Sequence, residues 1–247
     1  MTNMLVGADA LGALNAEAGG GNNNEYTSFK SGTTLTVKVL GTADIMAYDA
    51  YGIFKQVNSF VAENPSIKTP QGFPTDNLTP WDKAFLYHRN LSKEFNDEHG
   101  MEANKYRPRR RFAMGFYDLD TGEQIVIDVT KNQAQTIHGV IKQFEKRLPQ
   151  MAFTLSKQGQ STNTTVSLTP VMFMDEDLTD VQRANFDKAP EEFDVSKFEG
   201  INFEMNEQEM IEKLDEVGFD VTLIGYDKPT ADNVNGGDSN DDNEFGF

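Results

Sequence analysis

The sequence predicts a mainly β fold with helical insertions, organised as a small five-stranded barrel, and three observations carry that reading. Runs of alternating apolar and polar residues recur between turn signals. One strongly amphipathic helix stands between the third and fourth of these runs. At 247 residues the chain is long enough to bury one substantial core.

Residues 4–18 are rich in Ala and Leu, and the Gly19-Gly20-Gly21-Asn22-Asn23-Asn24 that follows has a linker's composition, so residues 1–25 are expected to form a mobile arm. Residues 33–40 then alternate Leu35, Val37 and Val39 with Thr34, Thr36 and Lys38, which reads as a first strand with one outward cation. Residues 48–60 continue in kind, with Gly52 marking a bulge that curves the sheet. Tyr48, Tyr51 and Phe54 offer base-stacking surface there, beside Lys55, and core packing accounts for any one of these rings equally well.

Residues 62–104 read as an insertion. Its first part holds three prolines and is expected to be a loop. Thr79-Pro80-Trp81-Asp82 then has the N-cap, first-turn proline and acid of a helix start, and Gly100 offers a stop. Trp81, Phe85, His88, Leu91 and Phe95 fall on one face, so the insertion is expected to act as a flap in which Trp81, Tyr87 and Arg89 close over a groove, although a lone tryptophan on such a stripe is more often core.

The densest information lies in residues 105–129, KYRPRRRFAMGFYDLDTGEQIVIDV. Phe112, Met114 and Phe116 alternate with Ala113, Gly115 and Tyr117, and Asp120-Thr121-Gly122 supplies a turn, so two paired strands follow. Lys105, Arg107, Arg109, Arg110 and Arg111 put five cations into seven residues beside Tyr106 and Tyr117. Such a cluster repels itself, and it becomes favourable when an anion such as a nucleic-acid backbone neutralises it. Cations interleaved with rings suit single-strand binding, in which bases stack and phosphates are neutralised.

Thr130 next caps a helix whose stripe is Ala134, Ile137, Ile141, Phe144 and Leu148, ended by Pro149. Residues 151–157, which end in Lys157, and residues 164–171 give two more strands. This order, with the helix between strands three and four, is that of an oligonucleotide-binding (OB) barrel, a five-stranded Greek key. From Asp175 onward acids dominate; Asn206 caps a short helix, and residues 221–226 are expected to add an edge strand. Residues 227–247 are expected to be a disordered tail, whose Phe245 and Phe247 serve as a partner anchor steered by Asp241, Asp242 and Glu244.

Charge is distributed unevenly. Residues 30–157 carry 17 Lys and Arg against 14 Asp and Glu, whereas residues 158–247 carry 5 against 22, within a total of −17. The middle is mildly basic and the last third strongly acidic, the polarity of a binding domain followed by a segment that contacts partners or competes for the binding face. With no cysteine, disulfides, thiolate metal sites and cysteine nucleophiles are excluded, and a reducing cytoplasm is the expected setting. No zinc site is expected from three scattered histidines, and no apolar run approaches the roughly 18 residues of a membrane span.

FKSGTTLTVKVLG (residues 29–41), KYRPRRRFAMGFYDLDTGE (105–123), AFTLSKQGQSTNTTVSLTP (152–170) and the acidic tail ending in Phe247 resemble, in order and kind, the single-stranded-DNA-binding (helix-destabilising) proteins of tailed bacteriophages. The likeness covers residues 26–226 and the tail. It implies an OB domain that coats transient single strands in phage replication, recombination and repair within the bacterial cytoplasm, with a tail that recruits replication and recombination proteins. The chain lacks the cysteines of the structural zinc found in some relatives, and residues 1–21 are not a basic cooperativity arm.

On this reading Lys38, Lys55, Lys105, Arg107, Arg109, Arg110, Arg111 and Lys157 meet phosphates, and Tyr48, Tyr51, Tyr106, Tyr117 and Trp81 stack on bases; no cofactor, metal or catalytic residue is expected. An acidic interaction or DNA-mimic protein is the alternative. A nuclease using Asp118, Asp120, Glu123 and Asp128 as metal ligands is a third reading, disfavoured because the turn explains Asp120 and no histidine lies near to act as base.

Overall fold

The computed structural model describes residues 25–94, 96–160 and 163–229. The predicted arm before residue 25, Phe95, and the tail from residue 230 with Asp241, Asp242, Glu244, Phe245 and Phe247 lie outside the described residues. In chain order the elements are β1 (Thr34–Lys38), β2 (Ile45–Ile53), β3 (Val57–Ala62), β4 (Ile67–Lys68), β5 (Pro74–Asp76), α1 (Pro80–Leu91), α2 (Glu98–Tyr106), β6 (Arg109–Asp118), β7 (Glu123–Thr130), α3 (Lys131–Gln143), β8 (Ala152–Gln158), β9 (Thr165–Pro170), α4 (Met174–Asp177), α5 (Asp180–Lys188), β10 (Glu204–Met205) and α6 (Glu207–Glu216). They fall into two compact units, residues 25–50 with 109–203 and residues 51–108 with 204–229.

In the first unit β6 is the organising strand. It pairs with β7 along one edge from Arg111↔Thr130 to Asp118↔Glu123, while its other edge is shared, β2 taking Arg109–Met114 and β1 taking Tyr117 and Asp118. β1 then pairs with β8, and β8 with β9. The fold is mainly β with helices, and its mixed sheet is not closed into a barrel. The closed five-stranded barrel expected from strand order is thus not formed by hydrogen bonding. Instead α3 packs against both β7 and β9, so side chains complete the core where a further strand pairing would otherwise close it.

That core joins Val37 of β1, Met114 and Phe116 of β6, Ile127 and Val129 of β7, Ile137 and Ile141 of α3, and Phe153 and Leu155 of β8. The helix forms because Thr130 and Gln133 make a capping box around an apolar stripe. It ends at Gln143, and a 3-10 turn, Glu145–Gln150, carries the chain past the expected stop at Pro149. The opposite face of β6 is covered as well. Phe193 and Ile201 pack on Ala113 and Val126, and Leu178 and Phe186 pack on Tyr117 and Leu119. The acidic segment thereby buries the second apolar face that the alternation of β6 provides.

The second unit contains the β2–β3 turn. Gly52, at φ +152°, sits at a register shift between Tyr51 and Ile53, which is the expected bulge. Residues 62–78, expected as a loop, hold the short β4–β5 pair. Thr79 caps α1 by accepting from the Asp82 backbone N–H, as the sequence indicates. The helix stops at Leu91, however, and Gly100 lies inside α2. The cause is Asp97, whose carboxylate accepts from the backbone N–H groups of Lys93, Glu94 and Gly100 and so starts a new helix. Lys105 and Tyr106, read as part of an extended cationic mouth, form the last turn of that helix. Asn206 caps α6 as expected, but residues Val221–Ile224 make a 3-10 turn closed by Gly225 in the left-handed region, not an edge strand.

Candidate nucleic-acid interface

The thirteen DNA-contact residues expected from sequence divide between the units. Lys38, Tyr48, Arg109, Arg110, Arg111, Tyr117 and Lys157 belong to the first, and Tyr51, Lys55, Trp81, Lys105, Tyr106 and Arg107 to the second.

In the first unit, β2 and β7 flank the start of β6, so cross-strand pairing decides what each arginine meets. Arg110 lies opposite Asp49, and its Nε and second terminal nitrogen donate to the two carboxylate oxygens at 2.7 and 2.9 Å. Arg111 lies opposite Tyr48 and one diagonal step from Asp128. Its Nε donates to Asp128 Oδ1 at 3.0 Å, its other donor reaches Oδ2, and the Tyr48 hydroxyl donates to Oδ1 at 2.7 Å. Both arginines are therefore held by bidentate carboxylates, a geometry that fixes the guanidinium plane.

Neither guanidinium is lost to the core. The Arg110 and Arg111 side chains keep 46% and 29% of their surface in solvent, and Arg109 is exposed with no ion pair among the described residues. Burial works against the Arg111 charge, yet the hydrogen bonds and attraction of Asp128 leave its pKa raised. Burial and the same carboxylate push the Tyr48 phenol well up. Nearby, Lys157 lies over the Phe29 ring at 5.3 Å; burial, with Arg111 adding to it and Asp128 opposing, lowers its pKa. Arg111, Asp128, Tyr48 and Lys157 thus form one electrostatic neighbourhood.

Two expected residues of this unit are committed elsewhere. Lys38 donates to the Phe186 carbonyl at 3.0 Å and sits 4.0 Å from that residue's ring centre, so it is a tie to α5. Tyr117 is buried beneath Leu178 and Phe186 and offers no stacking face.

The second unit corrects three more expectations. Tyr51, Trp81 and Tyr106 are buried together, with Trp81 meeting Tyr51, Phe60 and Tyr106 edge to face at 6.1, 5.1 and 5.9 Å and donating its indole N–H to the Met210 carbonyl. Their apolar area was needed for a core, and the flap role assigned to Trp81 does not survive its complete burial. Tyr51 also donates to buried Asp82 at 2.9 Å. Lys105 pairs with Glu102 at 2.5 Å. Lys55 stays exposed at the hairpin tip, with Phe54 beside it 87% exposed.

Sequence reasoning missed the carboxylates. The sequence reading does not single out Asp49, and it names Asp128 only as a metal ligand. The hairpin register held the signal: counting back from Asp118↔Glu123, which closes the turn, sets Asp128 opposite Ala113 and beside Arg111. Asp118 and Asp120, two of the other three acids of the nuclease reading, serve the fold, and the third, Glu123, pairs with Asp118 where the hairpin closes. Asp118 accepts from the Asp120 backbone and the Thr121 hydroxyl, and Asp120 from Gln182.

No protein-family model matches the chain, and no curated protein is significantly similar to it.

Proposed function

We propose that the protein is a non-enzymatic, sequence-nonspecific binder of single-stranded DNA that engages the strand through the cationic start of β6. The observation that carries this reading is the run Arg109, Arg110 and Arg111, whose charges stay at the surface on a strand packed into the sheet on both edges. Strand placement matters because β6 holds the cations at fixed positions, Arg109 and Arg111 on one face and Arg110 on the other, without the cost of ordering a loop. Asp49 and Asp128 hold their guanidiniums in a plane suited to a bidentate oxyanion, and an incoming phosphate exchanges for the carboxylate or shares its donors. Arg109 supplies the first contact, and the half-buried Tyr48 ring lies opposite Arg111.

The order hairpin, helix, hairpin in the first unit supports reading it as an open relative of the oligonucleotide-binding barrel. On the same reading the protein coats single strands during phage replication, recombination and repair in the host cytoplasm. Its acidic tail, through Asp241, Asp242, Glu244, Phe245 and Phe247, recruits replication and recombination proteins.

The test is anisotropy of a labelled oligothymidine and a matched duplex at several salt concentrations, for the wild type and for Arg109→Ala/Arg110→Ala/Arg111→Ala. Preference for the single strand is expected, and the triple variant should lower the slope of log affinity against log salt by roughly 0.7 for each phosphate contact removed. Unchanged affinity and slope would overturn the assignment of β6. The pairing of Arg110 and Arg111 with carboxylates favours, as a second reading, an acidic interaction protein; affinity for a partner protein with none for oligonucleotides would establish it.

A further inference from the structure

The second unit contains a cavity of about 410 Å³, within the range of about 300–1,000 Å³ that holds small ligands. Three cations converge on it from separate places in the sequence: Arg89 near the end of α1, Lys93 just after that helix, and Arg107 immediately beyond α2. Among the described residues none of the three side chains has an ion pair or a hydrogen bond, although all are exposed at the cavity. Glu94 is the one carboxylate among the lining residues. Asp97, at the start of α2, accepts from three backbone N–H groups, which lowers its pKa and fixes the backbone that carries Lys93, and Glu102 of the same helix is paired with Lys105. Convergent cations without matching acids repel one another, and a multivalent oxyanion relieves that repulsion.

A phosphate alone does not fill the space. The floor is apolar, made by buried Phe85 and Ala103, and the wall presents Phe73, 41% exposed, together with the amide of Asn104. An exposed ring beside an amide and a cationic rim suits a ligand with a flat face, hydrogen-bonding edges and a phosphate. We propose that this cavity binds a nucleotide monophosphate, with Arg89, Lys93 and Arg107 on the phosphate and Phe73 against the base. The phosphate belongs either to a free mononucleotide or to the phosphorylated end of a strand. The site is distinct from the row on β6, and it takes a single nucleotide where that row takes a backbone.

The experiment is calorimetric titration of the full chain with thymidine monophosphate, thymidine and inorganic phosphate. Saturable binding of the monophosphate is expected, with thymidine at least about tenfold weaker because it lacks the phosphate and an arginine–phosphate hydrogen bond alone is worth about that factor, and inorganic phosphate about tenfold weaker because it lacks the base that stacks on Phe73. Arg89→Ala/Arg107→Ala should lose at least about tenfold in affinity. Phe73→Ala should bring the monophosphate down towards inorganic phosphate while phosphate binding persists, a split that misfolding would not produce. Circular dichroism of both variants checks the fold. Absence of saturable monophosphate binding, thymidine binding equally well, or full retention by folded Arg89→Ala/Arg107→Ala would overturn the proposal.

Two further arms identify the source. If a 5′-phosphorylated oligothymidine binds more tightly than its hydroxyl-ended twin, and the double variant abolishes that difference, the site serves strand ends. Monophosphate binding without that difference assigns it to free nucleotides. Because the primary readout uses a mononucleotide, its failure leaves single-strand binding by β6 standing, and the reverse holds too.

Discussion

Phe193 lies against Gly115 so closely that a Cβ at the glycine would come within 2.5 to 2.7 Å of three ring carbons. The glycine is there for close approach and not for a turn, and the missing side chain lets the acidic segment seat its ring on β6. Around this contact Phe193 and Ile201 cover Ala113 and Val126, with Met46 and Tyr48 packed at the margin.

Gly115→Ala is expected to destabilise the protein by about 1–3 kcal/mol, because the buried Phe193 ring must shift within its packing to admit the Cβ. Combining it with Phe193→Ala should cost less than the sum of the two single changes, since the second removes the atoms that the first strikes. Urea titrations of both single variants and the double variant measure this, and strict additivity would show that the contact is not the cause.

Asp128 neutralises Arg111 and occupies two of its donors. On the proposed function, Asp128→Asn should raise affinity for oligothymidine severalfold and steepen the salt dependence, because the carboxylate no longer competes with phosphate while the amide still accepts from Tyr48. Anisotropy at low and moderate salt checks it. Weaker binding would mean that holding Arg111 in position outweighs the competition.

The Nδ1 atoms of His88 and His99 are 3.1 Å apart, and His88 stacks on Tyr106 with a ring-centre distance of 5.9 Å. Burial first, then His99 and Lys105, lowers the pKa of His88 from 6.5, with Glu102 opposing. A base lowered in this way binds fewer protons when folded. Its contribution to stability is therefore present above about pH 6.5 and is lost as the pH falls through the unfolded and then the folded value. The urea midpoint should fall between about pH 7.5 and about pH 5.5, and His88→Gln should flatten that fall. An equal fall in the variant would assign the effect to other groups.

Trp81 is fully buried, so its emission should be blue-shifted, resist soluble quenchers and stay unchanged when oligothymidine is added. Trp81→Ala should cost about 3–5 kcal/mol, from the loss of its ring contacts and of its bond to Met210. Quenching by the oligonucleotide would return Trp81 to the binding surface.

What the sequence determined by itself was local. Period-two alternation marked β1, β6, β7, β8 and β9, the Asp120-Thr121-Gly122 turn joined β6 to β7, and Thr79, Thr130 and Asn206 announced their helices, because strand faces, turns and caps depend on residues a few positions apart. The cationic row was legible for the same reason. Tertiary structure alone decided which rings were spent on cores, since Tyr51, Trp81, Tyr106 and Tyr117 have the same chemistry buried or exposed and only long-range packing separates the two. It also decided which cations were paired: Asp49 and Asp128 reach Arg110 and Arg111 from other strands, and Glu102 reaches Lys105 through a helical turn that the run of cations concealed. The open sheet has the same kind of origin. Strand order is local information, whereas closure depends on where α3 lies between β7 and β9, which is a balance of side-chain packing that no single stretch of the chain encodes.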